Sequence, residues 1–145
     1  MRLTAMSDYS LRVLMYIGSS DDRLCTISEI ARAYGISENH LMKVVNRLGQ
    51  SGLVETVRGR NGGLRLGKAP QAIRVGEVLR ATEEDFDLVE CFGSDDTCRI
   101  TRVCRLKHAL RRALKAYLAE LDACTLADII SNRQSLRSEL NQAYL

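Results

Sequence analysis

Apolar positions in the first third of the chain recur with the period of helices that bury one side. Over residues 6–19, Met6, Tyr9, Val13 and the pair Tyr16/Ile17 return at three- and four-residue steps, which predicts an amphipathic helix. A second helix is predicted from Thr26, whose hydroxyl can cap the first turn while Glu29 reaches back to the cap, the reciprocal pattern of a capping box. Its inward face is Ile27, Ile30, Ala31 and Tyr34, and Gly35 supplies a left-handed exit. Ser37 then caps a third helix with Leu41, Val44, Val45 and Leu48 inward. Two short helices separated by a glycine turn make a helix-turn-helix unit.

The period changes after the third helix. "LVETV" (53–57) and "GLRLG" (63–67) are short β runs around "RGRNG", and Asn61-Gly62 predicts a two-residue hairpin turn. After Pro70, "IRVGEVLRAT" reads as a short helix with Val75, Val78 and Leu79 inward. From about Val103 to Ala123 a long helix carries Leu106, Leu110, Ala113/Leu114, Tyr117 and Leu121, a stripe suited to pairing with another helix. "TLADII" (125–130) opens with a Thr/Asp capping pair and predicts a further short helix, and the polar tail from Ser131 is expected to fray. The expected fold is mainly α with a small β-hairpin wing. A winged helix-turn-helix domain spans residues 1–83, a loop spans 84–104, and a long dimerisation helix with its tail spans 105–145.

Composition narrows the class. A chain of 145 residues with 46% apolar content suits one domain, or one domain with a helical arm. A single proline and the lack of a Gly/Ser linker argue against flexibly joined domains. No stretch approaches the roughly 18 apolar residues of a membrane span, and "MRLTAMSDYS" lacks the layout of a secretory signal. The expectation is a cytoplasmic protein with reduced thiols, and five cysteines, an odd number, argue against a closed disulfide framework.

The net charge of +3 conceals three blocks. Lys43–Lys68 holds six bases and one acid, Glu83–Asp96 seven acids and no base, and Arg99–Lys115 seven bases and no acid. The first block coincides with the third helix and the hairpin, and it points to a polyanion partner. The outward face of that helix offers Asn39, His40, Lys43, Asn46, Arg47 and Gln50, with Ser37 at its start and Glu38 as its only acid. Such side chains can meet phosphates and base edges in a major groove, while Arg58 and Arg60 at the hairpin tip can reach a neighbouring minor groove or backbone. The predicted partner is double-stranded DNA. A reader this small ordinarily works as a homodimer on a palindromic operator with half-sites about 34 Å apart or multiples of that, paired here through the long helix.

Three cysteines, Cys91, Cys98 and Cys104, are separated by six and then five intervening residues, with Arg99 and Arg102 among them and Arg105 next to the last. Three soft donors in one loop select an iron–sulphur cluster or zinc over a hard cation, and the paired C-x2-C spacing of structural zinc sites is absent. Cys25 and Cys124 each stand alone beside a helix start and read as unliganded. No GxGxxG follows a strand, and "RGRNGGLRLG" lacks the lysine spacing of a phosphate loop, so no nucleotide-dependent enzyme is indicated. The alternatives at this point are a thiol- or zinc-switched repressor of the same fold and an iron–sulphur electron carrier that does not bind DNA.

These stretches together, with the opening "MRLTAMSDYSLRVLMYIG" and the reader "TISEIARAYGISENHLMKVVNRLGQSGLVETVRGRNGGLRL", resemble the IscR/NsrR family of dimeric winged-helix iron–sulphur repressors over nearly the whole chain. The nitric-oxide-sensing branch is the nearer match. The resemblance implies a cluster, [4Fe-4S] favoured over [2Fe-2S], held by Cys91, Cys98 and Cys104, with nitric oxide as signal and nitric oxide detoxification genes as targets; the alternative role is control of iron–sulphur assembly. It also implies a fourth ligand. IscR-like members use a histidine three residues after the last cysteine, where this chain has Lys107, with His108 one position further on. Members of the nitric-oxide branch use an aspartate near the start of the first helix, donated by the partner subunit, and Asp8 occupies that place. The first cysteine gap is six residues where many relatives have five.

Overall fold

Thr4 starts the first helix. In a computed structural model that describes residues 1–142, its hydroxyl accepts the Ser7 amide at 3.3 Å, and α1 runs Ala5–Gly18. The predicted capping box forms at Thr26 and Glu29, opening α2 (Ile27–Tyr34), and Gly35 takes φ 65° at its end. Ser37 accepts the His40 amide and opens α3 (Glu38–Gln50). Leu41, Val44, Val45 and Leu48 of α3 are buried against Val13, Leu14 and Ile17 of α1 and Ile30 of α2, as the spacing predicts.

The hairpin follows directly. β1 (Val54–Val57) pairs antiparallel with β2 (Gly63–Leu66), in a register that sets Glu55 opposite Arg65 and joins them by a 2.8 Å ion pair. The expected two-residue turn at Asn61-Gly62 does not occur. Val57 faces Gly63, so residues 58–62 form a five-residue loop, and Gly59 adopts the positive φ, 115°. Burial decides this register, because it places Val54 and Leu64 in the core. Gly62 is needed for a different reason: a Cβ there would lie 2.1 Å from the Val57 carbonyl. The sheet also gains a neighbour, since Cys25 exchanges both backbone hydrogen bonds with Leu64 at 3.0 and 2.7 Å.

α4 (Val75–Thr82) buries Val75, Val78 and Leu79. α5 (Arg105–Ala123) is capped by Cys104 and packs on α4, where Asp122 accepts two bonds from Arg80 at 2.5 and 2.8 Å. Gly76 makes that approach possible, because a Cβ would stand 2.0 Å from Asp122 Oδ1. The chain then returns to the reader. The Leu126 amide donates to the Ile73 carbonyl, Thr125 and Asp128 form the predicted capping box, and α6 (Leu126–Ile129) sends Leu126 into the core built by α1, α2 and α3, joined there by Ile130 just beyond it. The tail does not fray over its described length. α7 (Arg133–Gln142) rests Leu136 and Leu140 on the same core, and Arg133 and Arg137 pair with Asp21. The two leucines, four apart, share one face of an otherwise polar helix. Among the described residues no helix is long and apolar enough to cross a membrane.

Candidate functional site

Two faces hold the candidate chemistry. The first is the outer side of α3 with the hairpin tip. Asn39, His40, Lys43, Asn46 and Gln50 are all exposed, as are Arg58 and Arg60 in the loop between β1 and β2. Three of the expected DNA-contacting residues have prior engagements. Ser37 Oγ accepts the His40 amide at 3.2 Å. The His40 ring meets Tyr9 of α1 edge-on, with centroids 5.7 Å apart. Arg47 donates from Nε to the Ala81 carbonyl at 2.7 Å, which ties α3 to the last turn of α4. Arg47 is therefore a strut as well as a charge. Met42, 56% exposed on the same face, is a residue the periodicity did not single out, and an apolar group there suits a thymine methyl.

The Ala81–Glu83 segment that Arg47 grips is also tied to α1. Ser7 and Thr82 hydroxyls lie 2.7 Å apart in the interior, and Glu83 accepts the Thr4 amide at 2.8 Å and the Thr4 hydroxyl at 3.1 Å. Partial burial pushes the Glu83 carboxyl up, but hydrogen bonds from Ser7 and Thr4 more than offset this and hold it below the ordinary glutamate range. The start of the acidic run is thus fastened to both the first and the reading helix.

The second face is the cysteine loop. All five thiols are free. Cys91 lies half-buried in a single 3-10 turn (Glu90–Phe92), Cys98 is exposed, and Cys104 caps α5, its Sγ accepting the Lys107 amide at 3.4 Å. The three lie along one loop, and among the described residues no three His, Cys, Asp or Glu side chains converge closely enough to hold a metal ion. Donor chemistry nonetheless fits an iron–sulphur group: three reduced sulphurs, one of them already receiving a backbone N–H of the kind that orients ligating thiolates. Asp8 stands in the first turn of α1, held by Arg12 through two 3.0 Å bonds. That arginine also lies over the Tyr9 and Tyr34 rings at 5.7 and 5.9 Å. His108 is exposed on α5. Cys25 is fully buried and its thiol is pushed up by that burial, while Cys124 follows the last turn of α5.

A helix-turn-helix with a polar reading helix and an arginine-tipped hairpin defines a winged-helix DNA-binding transcriptional regulator. The chain belongs to the Rrf2 family, whose description is iron-dependent transcriptional regulator and which it matches over residues 3–132. It is 54% identical over 143 residues to the HTH-type transcriptional regulator NsrR of Bacillus licheniformis, covering 97% of this chain and 100% of that one. Its identity to NsrR of Bacillus subtilis strain 168 is 53% over 138 residues, 94% of each chain. Among solved structures it is similar to T. potens IscR, with a TM-score of 0.74 and 25% identity over 91% of this chain and 88% of that one. It is likewise similar to CymR (YrzC), the global cysteine regulator of B. subtilis, with a TM-score of 0.72 and 26% identity over 91% and 98%. These relatives are regulators, not enzymes, and so is this chain.

Proposed function

We propose that the protein is a homodimeric repressor of nitric oxide detoxification genes whose DNA binding depends on an iron–sulphur cluster, [4Fe-4S] in preference to [2Fe-2S], held by Cys91, Cys98 and Cys104. The observation that carries this reading is the continuity between its two faces: the segment leading into the cysteine loop is bonded to the reading helix through Arg47 and to α1 through Ser7 and Thr4. When bound, the cluster supplies a reactive site for a small molecule such as nitric oxide. The protein's residues supply the rest. Asn39, His40, Lys43 and Asn46 face a major groove, Ser37 and Arg47 brace that face, and Arg58 and Arg60 reach along the backbone. Asp8 serves the partner subunit's cysteine loop as fourth ligand, which requires it to leave or share Arg12.

A second copy belongs on α5. None of its residues is fully buried; apolar Leu106 in its first turn is 63% exposed, and Val103, just before its cap, is 80% exposed. Pairing there would cover apolar surface that a lone protomer leaves in water.

Two measurements test the reading. If each protomer neutralises about four phosphates, log K for a palindromic operator falls with log salt at a slope of about −7. A flat salt dependence rejects DNA recognition by these faces. Asp8→Ala retains part of the cluster, but the ratio of operator affinities before and after nitric oxide shrinks by about tenfold or more, 1.4 kcal/mol of coupling. An undiminished response in that variant would remove Asp8 from the switch.

A further inference from the structure

Lys107, three residues after Cys104, turns toward the acidic run. Its ammonium lies 3.6 Å from Asp96 Oδ2, with side chains only 14% and 23% exposed. Asp96 in turn accepts the Cys98 amide at 3.0 Å and the Thr101 hydroxyl at 2.8 Å, so it fixes the turn that presents Cys98. The Lys107 backbone amide donates to Cys104 Sγ. One residue thus holds two of the three cysteine segments.

Arg111, one turn further along α5, holds the third. Its guanidinium lies over the Phe92 ring at 5.4 Å, beside Cys91. Residues 104, 107 and 111 are spaced i, i+3, i+7 and share one face of the helix. The loop is also tied to itself, since Glu90 accepts both the amide and the hydroxyl of Thr97, joining the neighbour of Cys91 to the neighbour of Cys98.

Charge shows why such a grip is required. Seven acids crowd residues 83–96, and their mutual repulsion favours an expanded loop. Among the described residues, Lys107–Asp96 is the one ion pair between this run and α5. It is also the least exposed ion pair among those residues, so salt screens it less than the others.

We infer that Lys107 and Arg111 are positioning residues: one stripe of α5 holds the three cysteine segments in place before any cluster is present, and neither residue ligates. The inference rests on the cysteine-site reading above. Its first test needs no cluster. In cluster-free protein, amide exchange across residues 90–104 should speed up about tenfold in Lys107→Met, as expected when one partly sheltered charge-assisted contact that resists local opening is lost. Lys107→Arg should restore the parent rate, and melting temperature should be unchanged in both. In anaerobically loaded protein, the visible absorbance of Lys107→Met and of Arg111→Met should decay several-fold faster under an iron chelator, with Lys107→Arg close to the parent. Parent-like exchange in Lys107→Met, or parent-like decay in both methionine variants, overturns the inference. Absence of iron from the parent overturns the cluster reading instead, and the exchange experiment then still decides whether α5 holds the loop.

Discussion

Cys104→Ser should fold and melt like the parent yet emerge from anaerobic purification colourless. The position has two roles that serine separates. As the residue before α5, Cys104 accepts the Lys107 amide, and serine is among the best residues for that task, so the start of the helix is preserved or improved. As a ligand, a serine hydroxyl is hard and almost wholly protonated at neutral pH, so it cannot replace a thiolate on iron. The variant should therefore bind operator with the affinity of cluster-free parent and show no response to nitric oxide. If the cluster switches operator occupancy between 1:99 and 99:1, the affinity lost is about 10⁴-fold, or 5.5 kcal/mol. Iron content, visible absorbance and operator titrations with and without nitric oxide measure each part. A coloured, gas-responsive Cys104→Ser protein would exclude this thiol as a ligand.

Leu126→Ala should destabilise the DNA-reading half of the molecule from a position more than forty residues beyond the end of α4. Leu126 is buried among α1, the Ile73 segment and Ile130, and its own amide bonds to the Ile73 carbonyl. Removing a buried leucine loses transfer energy and leaves a cavity, a cost of about 2–5 kcal/mol. For a chain of this size that lowers the melting temperature by roughly 10 °C. The loss should register at α1 and α3 in amide exchange, not only at the C-terminal segment. A melting temperature within a degree or two of the parent would mean that α6 contributes little to this core. Ile130, which packs against the Gly18 position, should behave in the same way.

The periodic elements were legible because they are determined locally. Apolar spacing in α1, α2 and α3 is decided by which residues a helix places on one side, and the caps at Thr26, Ser37 and Thr125 by which side chains can accept orphan amides. The reading face could be named for the same reason: once Leu41, Val44, Val45 and Leu48 point inward, Asn39, Lys43 and Asn46 must point out. The cysteine loop was visible as a concentration of soft donors, with no geometry attached. Its grouping beside α5 follows from the chain order alone.

Other features depend on contacts between distant segments. Asn-Gly predicts a two-residue turn that does not form because it is a local preference, whereas the register is settled by burying Val54 and Leu64 beside Cys25. The polar tail from Ser131 predicts fraying because the two leucines of α7 gain little until α1 and α2 provide a surface for them. Arg47 reads as one more basic residue until α4 brings the Ala81 carbonyl to it, and Lys107 reads as a missing ligand until the loop folds Asp96 back against it. Helices, their caps and the polarity of the reading face can be written down from the residue order, since those depend on residues within a few turns. That the C-terminal helices complete the reader's core, and that Lys107 and Arg111 of α5 meet Asp96 and Phe92, emerges only in the folded chain, because both rest on packing and charge pairing between separate segments.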